Sequence, residues 1–94
     1  MNTSSLNDRH PERGDARAVT LALLARRAPG ATVCPSEVAR AVATAAGRPD
    51  WCGEMAGVHA AVDEMLADGL VRLSWKGATK AVREGPYRIG RVGD

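Results

Sequence analysis

The residues with most to offer chemically are cations near the C-terminus. Between Leu70 and Asp94 stand Arg72, Lys76, Lys80, Arg83, Arg88 and Arg91, against Glu84 and Asp94, a net +4 from six basic and two acidic side chains. Alternate residues of a strand point the same way, so Arg72, Lys76 and Arg88 are expected to share one solvent face. Such a stripe can contact phosphates, with an affinity that falls steeply with salt. The competing reading is a solvated strand face that protects a sheet edge from pairing. Arg17, Arg26 and Arg27, in the first helical segment, are further candidates for the same polyanion.

Cys34, Cys52, His10 and His59 could ligate a metal or do thiol chemistry, but their spacings match no zinc pattern. Cys34 stands where a helix N-cap is expected, a position that favours the thiolate. No His or acid adjoins it in sequence, so the plainer expectation is a small buried residue that fixes a turn. His59 reads as a half-buried or solvent-edge histidine. Trp51 and Trp75 could stack on bases, but as two of only three aromatic residues they read better as anchors, of the third helix and of the strand base. Glu54, Asp63 and Glu64 read as carboxylates on a helix surface. There is no nucleophile elbow, P-loop, dinucleotide fingerprint or metalloprotease motif, so neither enzyme activity nor a cofactor or metal is expected.

The elements that must position these groups follow from periodicity. Residues 1–14 lack it and read as a flexible arm. Asp15 is expected to cap a first helix reaching about Ala28, where Pro29-Gly30 stops it. Val19, Leu21, Ala22, Leu23 and Leu24 cover more than one face, which suggests a helix contacted from two sides. A short strand fits at Thr32-Val33. Cys34-Pro35-Ser36-Glu37 opens a second helix, with Pro35 at its first position and Glu37 reaching back to free amides. Val38, Ala39, Val42, Ala45 and Ala46 form its stripe. The third helix runs roughly from Trp51 to Ala67 on Met55, Val58, Val62, Met65 and Leu66, and Asp68-Gly69 ends it. The period then becomes two. Val71, Leu73 and Trp75 alternate with Arg72, Ser74 and Lys76, and after a loop from Lys76 to Gly85, Tyr87 and Ile89 alternate with Arg88 and Gly90. The two strands are expected to pair antiparallel across that loop.

The third helix has no Lys or Arg and carries Glu54, Asp63 and Glu64, so sequence-specific base reading through it is not expected. Its small residues Gly53, Ala56, Gly57, Ala60 and Ala61 suggest a second use: a face for a partner protein or a second copy of the chain.

The whole chain is 94 residues and 9.9 kDa, 45% hydrophobic and 26% charged, which bounds it to one small globular domain. Its net charge of +2 names no partner by itself. The longest apolar run, Ala18 to Ala25, is broken by Thr20 and falls far short of the ~20 residues that span a membrane. With no apolar leader and only two cysteines, the expected setting is the reducing cytoplasm.

Thr32-Val33-Cys34-Pro35-Ser36-Glu37-Val38-Ala39-Arg40, Asp50-Trp51, Lys76-Gly77 and Gly85-Pro86-Tyr87-Arg88 occur in this order. Together they resemble a small bacterial winged-helix family known as domain of unknown function 3253, over about residues 17–91. The resemblance implies a winged helix and no assigned activity. Family members often carry Arg just after the Trp and again in mid-helix; Cys52 and His59 stand there in this chain, removing two positive charges from the third helix. The expected fold is α+β, mainly α: a three-helix helix-turn-helix core plus a C-terminal β-hairpin wing over residues 15–92. The first expected function is a non-enzymatic module that contacts DNA through its basic wing. The alternative is a protein-interaction or homodimerisation module.

Overall fold

The computed structural model describes residues 11–92, with side chains described from Ala16 onward. The first helix, α1 (Pro11–Ala25), already contains Asp15, so Asp15 is not its cap. The part of the expected arm at residues 1–10 lies outside the described residues. Leu21 is 39% exposed and Ala22 is exposed as well. Among the described side chains of α1, the buried ones are Ala16, Thr20 and Leu24, a single stripe flanked by Val19 and Leu23. Thr20 can be buried because its hydroxyl donates to the Ala16 carbonyl at 2.6 Å.

The strand β1 (Thr32–Val33) leads directly into α2 (Pro35–Ala45). Pro35 occupies the first turn, where its missing N–H costs nothing. Glu37 accepts the Cys34 backbone N–H at 2.9 Å, as its spacing suggests. The buried stripe of α2 is Val38, Ala39, Val42 and Ala43; Ala45 and Ala46 are exposed, because the helix is already ending there.

A 3₁₀ turn (Cys52–Glu54) precedes α3 (Met55–Ala67), so the single third helix expected from Trp51 is two pieces. The Asp50 carboxylate holds the Cys52 N–H at 3.0 Å and starts that turn. The core face of α3 is Val58, Ala61, Val62 and Met65. Both α2 and α3 pack on α1, and α3 also meets the sheet.

Four strands make the antiparallel sheet, in the order β1-β4-β2-β3. They are β1, β2 (Val71–Trp75), β3 (Ala78–Lys80) and β4 (Arg88–Arg91). The pairing of β2 with β4 is as expected, with Leu73 opposite Ile89 and Ser74 opposite Arg88. The intervening segment is not simply a loop: β3 folds back on the other edge of β2. Trp75 pairs with Ala78 across the two-residue turn Lys76-Gly77, whose φ angles are 53° and 83°. Two positive φ values are what a type I′ hairpin turn requires. Val33, Val71, Leu73 and Ile89 face the helices and close the core with Tyr87.

Candidate nucleic-acid interface

The opposite face of the sheet gathers the polar residues. Arg72, Ser74, Lys76, Thr79 and Arg88, with Thr32, Gly30 and Gly77, line a recess of about 440 Å³. The register explains the grouping: Ser74 faces Arg88 on one side and Thr79 on the other, so their side chains fall on one face. Gly90 lies opposite Arg72 in the same layer. A Cβ there would stand 3.4 Å from the Thr32 methyl and 3.9 Å from Arg72 Cγ, ordinary contact distances, so the Arg72 stem and Thr32 both lie close over this position.

Arg88 is oriented before any ligand arrives. Its Nε donates to Thr32 Oγ1 at 2.7 Å, and Nη2 donates to the Thr32 carbonyl at 3.3 Å. These two bonds leave guanidinium donors free for an anion, and a guanidinium offers five. Arg72 and Lys76 are exposed, and among the described residues no acidic side chain pairs with either.

Most of the remaining basic candidates are paired elsewhere or lie on the other face of the sheet. Arg17 pairs with Asp68 at 3.3 Å and approaches Glu64 at 4.0 Å, tying α1 to α3. Arg27 pairs with Glu37 at the start of α2. Arg83 grips Asp63 with two bonds, at 2.8 and 3.1 Å, and fastens the β3–β4 loop to α3. That grip holds the Asp63 carboxyl below its usual range and Arg83 above its own. Lys80 stands opposite Leu73, on the other face, and donates to the Glu84 and Pro86 carbonyls. Arg91 faces Val71, also on the helix side. Arg26 is exposed just beyond α1. Alternation thus divides the basic segment: Arg72, Lys76 and Arg88 come together, and Lys80, Arg83 and Arg91 do not join them.

The small-residue face is reduced. Ala61 is fully buried in the core, which removes it from any interface. Gly53 lies in the 3₁₀ turn, Ala56 is exposed, and Gly57 and Ala60 are half-buried. Glu54 is not on the surface either: it is 4% exposed, with Arg48 donating to it at 3.1 Å. Arg40 stacks over Trp51 at 4.8 Å, and Trp51 packs against the core as expected. Trp75 is 39% exposed, so it anchors less than its place in the alternation suggests.

A second recess lies on the helix side of the sheet. Cys34, Pro35, Ser36, Met55, His59, Trp75, Pro86 and Tyr87 are among the walls of its roughly 290 Å³. His59 Nδ1 and the Tyr87 hydroxyl are 2.7 Å apart, within a hydrogen bond. Burial lowers the His59 pKa, Arg83 lowers it further, and Asp63 opposes them. Burial also pushes the Tyr87 phenol up to about 12. Burial raises the Cys34 thiol, but the Ser36 hydroxyl, the Ser36 and Glu37 amides and the charge of Arg88 outweigh it, and the net shift is downward. Sequence spacing gave no hint that Cys34 and His59 share a cavity. Among the described residues, no three His, Cys, Asp or Glu side chains are grouped to hold a metal, and no helix is long and apolar enough to cross a membrane.

Among the described residues, the fold and this face define a small α+β protein with three α-helices, a four-stranded antiparallel sheet and a cationic outer face. The family described as Protein of unknown function (DUF3253) matches residues 13–92, and the chain belongs to it. No curated protein matches the chain.

Proposed function

We propose that this domain is a winged-helix module, non-enzymatic and cytoplasmic, that holds nucleic acid through phosphate contacts on the outer face of its sheet. The winged-helix reading rests on the order α1-β1-α2-α3 followed by the strands, with β4 seated between β1 and β2. In this reading, β2 and β3 form an extended wing whose tip is Lys76-Gly77. The observation that carries the function is the set of three cations and three hydroxyls around one recess: Arg72, Lys76 and Arg88 with Thr32, Ser74 and Thr79. Guanidinium and ammonium groups neutralise phosphate charge, and hydroxyls add neutral donors that fix register without reading sequence. The third helix has no Lys or Arg between Met55 and Ala67, so binding is expected to be governed by the backbone rather than by base identity.

The test is anisotropy of a labelled generic duplex across a salt series. Micromolar affinity is expected, with a log–log slope of roughly three, about one per phosphate contact. Arg72→Ala with Arg88→Ala should reduce that slope by about two. Arg17→Ala with Arg27→Ala, which removes cations already paired with carboxylates, should leave it nearly unchanged. Absence of binding at low salt would overturn the proposal.

A further inference from the structure

The helix-side recess brings together a nucleophile and a polar pair that the nucleic-acid reading does not use. Cys34 comes from the entry to α2, His59 from α3 and Tyr87 from the approach to β4. Met55, Pro35, Pro86 and Trp75 supply apolar and aromatic wall between them, and among the described residues no charged side chain lines the cavity. Its volume, about 290 Å³, lies at the lower end of small-molecule sites, which begin near 300 Å³.

We propose that this recess is a capture site for a small, uncharged, soft electrophile: an α,β-unsaturated carbonyl compound bearing an aryl or other apolar group. The apolar group packs among Met55, Pro86 and Trp75, and the electrophilic carbon is presented to Cys34. The sulfur reacts as the thiolate, its proton having gone to solvent. A carbon–sulfur bond forms at the β-carbon, and the carbon–carbon π pair moves towards the carbonyl oxygen. The enolate then takes a proton from water at the α-carbon. One thioether results; nothing leaves, and no oxidant or reductant is needed.

The His59–Tyr87 pair supplies the polar end of the site. Tyr87 keeps its proton throughout the neutral range, and in the tautomer this capture site uses, its hydroxyl donates the hydrogen bond to His59 Nδ1. The ring hydrogen of the neutral imidazole then sits on Nε2, where it can donate to the carbonyl oxygen as negative charge develops there. Cys34 is consumed in the reaction, so the process is capture rather than turnover. The chemistry does not depend on whether the opposite face binds nucleic acid.

The chain carries its own control, because Cys52 is exposed and outside the recess. Native full-length protein is treated with phenyl vinyl ketone or with iodoacetamide, and labelling of each cysteine is followed by peptide mass mapping. The ketone should favour Cys34 over Cys52 by about tenfold or more, the gain from seating part of one phenyl ring, and its rate at Cys34 should saturate with concentration. Iodoacetamide, small and polar, should show a much smaller preference. His59→Phe should slow the ketone at Cys34 several-fold and leave iodoacetamide unchanged. An equal Cys34 to Cys52 ratio for both reagents would overturn the proposal, because Cys34 would then be only a reactive thiol without a binding site. Faster ketone labelling at Cys52 would overturn it too.

Discussion

The two faces of β2 and β4 do opposite things with the same backbone. On one face, Val71, Leu73 and Ile89 are buried against the helices, and beyond them Tyr87 and Trp75 border an apolar recess. On the other, Arg72, Ser74 and Arg88 meet water around a polar recess with Thr32 and Thr79. A period of two puts each residue on one side or the other, so stability and binding can be altered separately. The inner face holds the sheet by removing apolar area from water. The outer face contributes little to folding, because exposed cations gain little from the folded state.

The largest expected effect lies on the inner face. Ile89→Ala should destabilise the domain by about 2–5 kcal/mol, as deletion of a fully buried aliphatic side chain leaves a cavity. Urea unfolding would measure it, and duplex affinity per folded molecule should not change. If affinity falls with stability held by lower temperature, the faces are coupled and the comparison breaks.

Alkaline unfolding should report the buried phenol next. Tyr87 ionises near 10 when unfolded and at about 12 when folded. Between those values the unfolded state binds fewer protons, so stability falls as pH rises. The loss is at most roughly 3 kcal/mol, and Tyr87→Phe should flatten that limb of the pH profile. An unchanged limb in the variant would mean that other groups cause it.

Much of the fold is legible because local rules and tertiary packing agree. Pro35 and Glu37 mark the start of α2, and the period-two runs mark β2 and β4. The failures share a physical origin. Strand β3 is three residues, Ala78–Lys80, with no apolar alternation, and it follows Lys76-Gly77 rather than Asn-Gly, so nothing local announces the hairpin. Ala61 shares the small size of Gly57 and Ala60, but its position next to Val62 and three after Val58 turns it into the core. Arg83 and Lys80 belong to a basic run, but the partners that engage them, Asp63 and two loop carbonyls, are set by folding. The apolar recess is the least legible feature: Cys34, His59 and Tyr87 meet only through packing, and no sequence spacing encodes that meeting.

A smaller effect distinguishes an organised anion site from diffuse charge. Thr32→Val keeps every cation but removes the hydroxyl that accepts from Arg88 Nε at 2.7 Å. Loss of one such bond is worth about 1 kcal/mol, so affinity should drop about fivefold. The salt slope, which counts charges, should stay constant. If affinity is unchanged, Arg88 needs no orientation and the outer face acts only through its net charge.

The smallest effect sits at the tip of β2 and β3. Lys76 adopts φ 53°, a left-handed conformation that an ordinary L-residue holds at a cost of about 1 kcal/mol. Asn tolerates that conformation better, and Asn-Gly is the favoured pair for a type I′ turn. Lys76→Asn should therefore raise stability by a few tenths of a kcal/mol up to about 1 kcal/mol, while lowering the salt slope of duplex binding by about one. The two readouts move in opposite directions because the residue serves the outer face at the expense of the turn. A stability gain with an unchanged slope would show that Lys76 makes no phosphate contact, and would confine the interface to Arg72 and Arg88.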